Sequence, residues 1–129
     1  NDNMISINST IEVDLLGQCN SEFLGGHEFS GTGGQLDYVR GAFNSKGGKS
    51  FIAFYATAHN GEISRVVPRF APGTVVTTTR MDTHYLATEY GVVNLMGKST
   101  RERVKDIISL AHPKFREDLL VEAKKMGLV

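Results

Sequence analysis

The residues best suited to bind a ligand are the glycines of one turn, Ser30–Gly34, which directly precedes a predicted helix. Glycine reaches backbone conformations that other residues avoid, and it lets a ligand approach the main chain closely. The first N–H groups of a helix have no partner within it, and the helix dipole places partial positive charge there. The turn therefore predicts a site for a phosphate, or for the oxyanion that develops during acyl transfer.

A tight turn that binds nothing is the alternative interpretation, and two familiar phosphate-binding motifs do not fit this segment. Gly31 and Gly33 are followed by Leu36, where the dinucleotide-binding fingerprint needs a third glycine. Lys49 and Ser50 resemble the end of a P-loop, but a strand is predicted after them where that motif requires a helix. Both observations argue against a nucleotide as the leading ligand.

Histidines and one glutamate are the remaining candidates for chemistry. His27 lies within the glycine-rich loop, and His59 lies in a predicted hairpin turn, where solvent exposure is the simpler interpretation. None of the four histidines pair at the spacing of metal ligands on a helix, so we predict no metal site. Glu89 precedes a glycine, and such a turn could aim its carboxylate at a substrate. We favour a structural carboxylate that accepts hydrogen bonds from nearby N–H groups.

The composition narrows the class of protein. With 129 residues the chain suits one domain, and its 14 basic and 14 acidic residues give a net charge of +0, which argues against a general nucleic-acid binder. The single cysteine, Cys19, cannot form an internal disulfide and is expected to be a small buried residue of a protein in a reducing compartment. No apolar run approaches the roughly 20 residues of a membrane span. We therefore expect a cytoplasmic protein without membrane or nucleic-acid partners, and the start at Asn1 suggests a fragment or a processed product.

The elements that hold the turn are predicted from the periodicity and clustering of apolar residues. Strands are predicted over 4–15 (one or two strands), 51–58, 63–67, 75–79 and 85–88, with a glycine-rich loop over 17–34. The runs on either side of His59 are expected to form a hairpin. The strands, together with the helices described next, predict an α/β domain.

Three helices are predicted from their start and stop signals. The first begins at Gln35, directly after the glycine turn. Ser99 and Glu102 form a capping box at the start of the second. Pro113 suits the first position of the third, and Gly127 is a plausible C-cap.

Several segments, spread over nearly the whole chain, together resemble the acetyl-CoA hydrolase/transferase family. No single motif is decisive, but their order and spacing make the match specific, and the likeness is greatest to the 4-hydroxybutyrate branch. The segments are Ile7–Asp14, Gly17–Gln18, Asn20–Ser21, Ser30–Gln35, Asp37, Arg40–Ala42, Ser64–Pro68, Val75–Thr78, Thr88–Val92, Leu95, Gly97–Lys98 and Ala111–Pro113.

The resemblance implies an α/β fold of the CoA-transferase type (NagB/RpiA/CoA-transferase-like), a layered sheet with flanking helices. Residues 1–129 would be the C-terminal CoA-transferase/hydrolase domain of a longer protein, partnered by its N-terminal domain, and we expect a homo-oligomer. The family reaction moves CoA between an acyl-CoA and a short carboxylate, of the 4-hydroxybutyrate or acetate type, through a glutamyl-CoA thioester. The family's nucleophilic glutamate is expected upstream of Asn1, so this chain alone should be inactive and Glu89 is read as structural.

The resemblance also implies where coenzyme A, the acyl-carrying substrate, would lie. Contacts with CoA and its thioester oxygen are expected at Ser30, Gly31, Gly33, Gly34 and His59. Family members often carry a basic residue in the hairpin turn. The histidine here weakens the assignment of a CoA contact to this position, because an imidazole is mostly neutral at pH 7. An acetyl-CoA hydrolase and a non-catalytic anion- or nucleotide-binding module are the alternatives.

Overall fold

Three parallel strands and one antiparallel edge strand form the main sheet of the computed structural model, which describes residues 1–129. The strands of this sheet are, in spatial order, β1 (Ile5–Ser9), β6 (Lys49–Ala53), β10 (Tyr85–Thr88) and β11 (Gly91–Asn94). The parallel register pairs Ile7 with Phe51 and Phe51 with Tyr85. Because β1 and β6 are parallel neighbours, the chain between them makes a crossover through helix α1 (Gln35–Asn44). The α/β class and the layered sheet predicted from the sequence are confirmed.

A smaller sheet and two hairpins complete the strand structure. The three-stranded sheet has the order β3 (Cys19–Asn20), β2 (Glu12–Asp14), β9 (Val66–Val67). The hairpins are β4 (Phe23–Leu24) with β5 (His27–Glu28), and β7 (Thr57–Ala58) with β8 (Ile63–Ser64). The glycine-rich loop thus contains short strands, whose two-residue length gave no periodic signal in the sequence.

Helices α2 (Thr100–Leu110) and α3 (Pro113–Lys125) begin where their capping residues predicted. Ser99 and Glu102 make both hydrogen bonds of the capping box, and Pro113 occupies the first turn of α3. None of the helices has the length and apolar character needed to cross a membrane.

One face of the main sheet carries the core. Ile52 of β6 and Leu86 of β10 are fully buried in a single cluster with Val39 of α1 and with Val104 and Ile107 of α2. The helices therefore cover the face to which Ile52 and Leu86 point.

Three predicted strands differ from the structure. The run 63–67 is not one strand, because Arg65 separates β8 from β9, and these two strands belong to different sheets. The run 51–58 is not one strand, because β6 ends at Ala53 and β7 begins at Thr57. The run 75–79 forms no strand; only an isolated bridge joins Thr78 to Cys19. The β-branched residues of this run favour an extended backbone locally, but a strand also needs a neighbouring strand with which to pair. Residues 75–79 pair with a neighbour at one position only.

Candidate functional site

The glycine turn is the N-terminal end of α1, and it presents unpaired backbone donors to solvent. Gly34 is the N-cap residue, and no side chain caps the helix there. The backbone N–H groups of residues 31–37 donate to no protein acceptor, while the carbonyl of Gly34 accepts from Tyr38. Gly33 has a φ of +56°, a conformation that favours glycine. The turn can therefore hold an anion through a run of N–H groups.

Side-chain hydrogen bonds fix this turn against the end of β1. The Ser30 hydroxyl donates to the carbonyl of Ser21 at 3.1 Å, and the Ser21 hydroxyl donates to the Gln35 amide oxygen at 2.9 Å. The amide nitrogen of Gln35 donates to the carbonyl of Ser9 at 2.8 Å. Ser30 thus positions the loop, and the first helical residue of α1 is tied to the last residue of β1.

A cleft opens at the carboxyl ends of the three parallel strands. Its volume is about 480 Å³. It is lined by Ser9, Thr10, Ala53, Phe54, Tyr55, Arg65, Ala87, Thr88 and Glu89. The carboxyl edge of a parallel sheet is where open α/β folds bind ligands. Since Ser9 lines the cleft and also accepts from Gln35, the glycine turn adjoins it.

The cleft contains one carboxylate and one guanidinium among its lining side chains. Glu89 accepts a hydrogen bond from the N–H of the buried residue Ala56 at 2.8 Å. Arg65 donates through Nη1 to the carbonyl of Ile11 at 3.1 Å, and its Nε is buried without a hydrogen-bond partner. The two groups give the cleft opposite charges and a polar wall.

The sequence did not single out Arg65, Ser9 or Tyr55 as site residues. Ser9 directly ends β1, and Tyr55 lies two residues after the end of β6. Residues at the carboxyl ends of parallel strands meet at one edge of a sheet, but the predicted strands 4–15 and 51–58 extended past both positions, so the sequence carried no signal for either. Arg65 lies between the short strands β8 and β9, where no local pattern marks it.

The structure does not join His59 to the glycine turn through any contact. His59 and Asn60 have φ values of 52° and 56° in the exposed turn of the β7–β8 hairpin. A side chain at Gly61 of the same turn would lie 3.8 Å from Nζ of Lys114, at the start of α3. The ammonium group of Lys114 therefore lies beside the hairpin tip, although the two segments are more than 50 residues apart in the sequence. His27 lies exposed in the β4–β5 hairpin.

Cys19 is a core residue. It is fully buried, and burial raises the pKa of its thiol to about 12, so almost no thiolate forms at neutral pH. The structure gathers no group of three or more His, Cys, Asp or Glu side chains able to hold a metal ion.

The domain is a layered α/β structure with a cleft at the carboxyl ends of its parallel strands, beside a glycine turn rich in free N–H groups. This arrangement is typical of domains that bind an anionic small molecule. The family model for the acetyl-CoA hydrolase/transferase C-terminal domain matches residues 1–123, so the chain belongs to this family. The resemblance inferred from the sequence is confirmed.

The chain is similar to several characterised proteins. It is 53% identical to the succinyl-CoA:cyclohexane-1-carboxylate CoA transferase of Geobacter metallireducens, over 100% of this chain and 30% of that protein. It is also 53% identical to the 4-hydroxybutyrate coenzyme A transferase of Clostridium kluyveri, over 97% of this chain and 29% of that protein. The crystal structure of RipA from Yersinia pestis matches all of this chain, and 29% of its own, with a TM-score of 0.93 and 56% identity. The chain thus spans about 30% of the length of the curated relatives it matches.

Proposed function

We propose that this chain is the C-terminal domain of a CoA-transferase that moves CoA between an acyl-CoA and a short carboxylate, of the 4-hydroxybutyrate or acetate type. The observation that carries the proposal is the cleft at the carboxyl ends of β1, β6 and β10, adjoined by the glycine turn. Support comes from the relatives, which are named as CoA transferases and are about half identical to the chain.

The reaction proceeds through acyl exchange on a glutamate that this chain does not supply. The glutamate oxygen attacks the thioester carbonyl carbon, and the C–S bond breaks to release the CoA thiolate. The thiolate then attacks the glutamyl carbonyl of the resulting anhydride, which releases the first carboxylate and leaves a glutamyl-CoA thioester. An acceptor carboxylate reverses these steps and leaves as the new acyl-CoA. Each attack places negative charge on a carbonyl oxygen, so N–H donors aimed at that oxygen accelerate it.

In this scheme the glycine turn supplies the donors. Gly31, Gly33 and Gly34 offer N–H groups to the thioester oxygen and to CoA, and Ser30 holds the loop through its bond to Ser21. His59 contacts CoA from the hairpin. Lys114, whose Nζ lies beside Gly61 in the same turn, supplies a positive charge for the CoA phosphates. Glu89 is structural, since its carboxylate accepts from the N–H of Ala56.

An assay of the full-length protein with butyryl-CoA and acetate tests the proposal. We expect acetyl-CoA to form in equal amount to the butyryl-CoA consumed. Release of free CoA without acetyl-CoA would instead identify a thioester hydrolase, in which water replaces the acceptor. Calorimetric titration with CoA and ATP tests the remaining alternative, because tighter binding of ATP than of CoA would favour a non-catalytic nucleotide-binding module.

A further inference from the structure

Arg65 places a cation without a counter-ion in the wall of the cleft. Its backbone is fixed on both sides, because its N–H donates to the carbonyl of Ala56 and its carbonyl accepts from the N–H of Val13, each at 2.9 Å. Ala56 and Val13 are fully buried, so the core sets the point from which the Arg65 side chain extends. None of the protein's ion pairs includes Arg65, although Glu89 lines the same cleft. A partly buried charge of this kind favours an anionic partner.

One edge of the Arg65 guanidinium is free to bind a carboxylate. The carbonyl of Ile11 holds Nη1 at 3.1 Å, whereas Nε is buried without a partner and Nη2 donates to no acceptor. Nε and Nη2 form one side of the planar fork, which matches the two oxygens of a carboxylate. Arg40 shows this pairing in the same protein, because its Nε and Nη2 donate to the two oxygens of Asp82 at 3.0 and 3.2 Å. Arg65 has the same edge unpaired, and it lines the cleft.

We propose that the Nε–Nη2 edge of Arg65 binds the reacting carboxylate of the acid co-substrate. The inference rests on the proposed function, since it gives the acid a place beside the thioester carbonyl. Arg65 is bonded to the carbonyl of Ile11, and Ser9, two residues earlier, is bonded to Gln35 at the start of α1. Two residues span at most about 7 Å, so a carboxylate on Arg65 and a thioester at the glycine turn occupy the same end of the cleft.

Arg65 serves the acid in both half-reactions without changing its own protonation. A guanidinium stays protonated, so it donates hydrogen bonds and transfers no proton. In the first half-reaction it binds the carboxylate that departs when the CoA thiolate attacks the anhydride and the C–O bond breaks. In the second it binds the acceptor carboxylate, whose oxygen attacks the glutamyl thioester carbonyl while the C–S bond breaks. The same pair of donors therefore holds the leaving acid and the entering acid.

Steady-state kinetics of the full-length Arg65→Met variant tests this assignment. Loss of a charge-assisted pair weakens binding by roughly tenfold to a hundredfold, so the KM for acetate should rise at least about tenfold. The kcat/KM for butyryl-CoA should fall by less than about threefold, because that substrate brings no free carboxylate to the cleft. Arg65→Lys should recover part of the affinity for acetate, since lysine keeps the charge but not the two-donor fork.

Arg69→Met is the matched control for the loss of charge. Arg69 is exposed, lies four residues after Arg65 and does not line the cleft. Its replacement removes the same charge from the same segment, and the KM for acetate should stay within about twofold of the parent, as for a screened surface charge. Urea midpoints recorded for every variant show whether each one is folded.

Chemical modification of the full-length parent separates a failure of this inference from a failure of the proposed function. Phenylglyoxal reacts with arginine side chains, and peptide mass spectrometry gives the rates at Arg65 and Arg69 separately. Acetate well above its Kd should slow the modification of Arg65 at least about threefold and leave Arg69 unaffected. This protection is expected whether or not the protein then transfers CoA.

Each remaining outcome decides against the inference. An unchanged KM for acetate in Arg65→Met, or modification of Arg65 at the same rate with and without acetate, would overturn it. A fall in kcat with an unchanged KM for acetate would assign the free edge to a carboxylate of the enzyme itself. A rise in KM for succinate but not for acetate would assign it to the second carboxylate of a dicarboxylic acid. If Arg65→Met lowers the urea midpoint strongly, Arg65→Lys and the protection of the parent decide the case.

Discussion

Replacing Gly34 by valine should separate the chemistry of the glycine turn from its role in the fold. Gly34 has a φ of −103°, which any residue can adopt. A Cβ at this position would lie 3.2 Å from Cε2 of Tyr38 and 3.5 Å from its Cδ2. Tyr38 is 67% exposed, so its ring can move aside, and we expect a loss of no more than about 1 kcal/mol in the free energy of unfolding.

The activity should respond much more strongly. The valine methyl groups would stand beside the free N–H groups that start α1 and would keep the thioester oxygen away from them. Loss of one such donor lowers kcat by about 10²–10³-fold in acyl transfer. The measurement is the butyryl-CoA:acetate transferase rate of the full-length Gly34→Val variant, with kcat and KM determined separately and the urea midpoint recorded in parallel.

Gly41→Val is the matched control, because Gly41 lies on the same helix and a Cβ there meets no atom within 4 Å. It should keep kcat within about threefold of the parent, since valine is a better helix former than the glycine it replaces. An unchanged kcat in Gly34→Val, or an equal loss in both variants, would remove the glycine turn from the site. A fall in kcat that merely followed a large loss of stability would also refute the reasoning.

Three further predictions concern stability. Glu89→Ala should lower the free energy of unfolding by about 1–3 kcal/mol, because the buried N–H of Ala56 loses its acceptor. Glu89→Gln should retain most of the parent's stability, because an amide oxygen can accept the same hydrogen bond. Equal urea midpoints for the parent and Glu89→Ala would contradict this structural role. Burial lowers the pKa of His84 below its ordinary 6.5, and the positive charge of Lys49 lowers it further. Below pH 6.5 the unfolded chain therefore takes up a proton at His84 that the folded protein does not. The free energy of unfolding falls as the pH decreases from 6.5 to the folded-state pKa. His84→Phe should therefore gain in urea midpoint relative to the parent between about pH 7.5 and about pH 5, and a constant difference across this range would show that His84 does not titrate as argued. Arg103→Met should lower the free energy of unfolding by about 2–4 kcal/mol, measured by chemical unfolding, because the guanidinium donates to three backbone carbonyls. A decrease of less than about 1 kcal/mol would mean that water satisfies these carbonyls when the guanidinium is removed.

Features that depend on local chemistry could be predicted from the sequence. The capping box at Ser99, the proline at the start of α3 and the helix that begins at Gln35 all form where neighbouring residues require them. Caps and turns are set within a few residues, so one chain segment contains the information. The family assignment also came from the sequence, because the order and spacing of short motifs along the chain can be compared without knowing which residues are in contact.

The covered side of β1 and the set of residues that meet in the cleft depend on long-range packing, which the sequence pattern does not contain. The alternation of Ile5, Ser6 and Ile7 predicted a strand, but the structure buries Ser6 against Ser50 and exposes the isoleucines. A period of two defines two faces without saying which one another element will cover, and that choice rests on where α1 and α2 pack. Arg65 and Glu89 likewise share the cleft wall only because distant segments meet at the carboxyl edge of the parallel sheet.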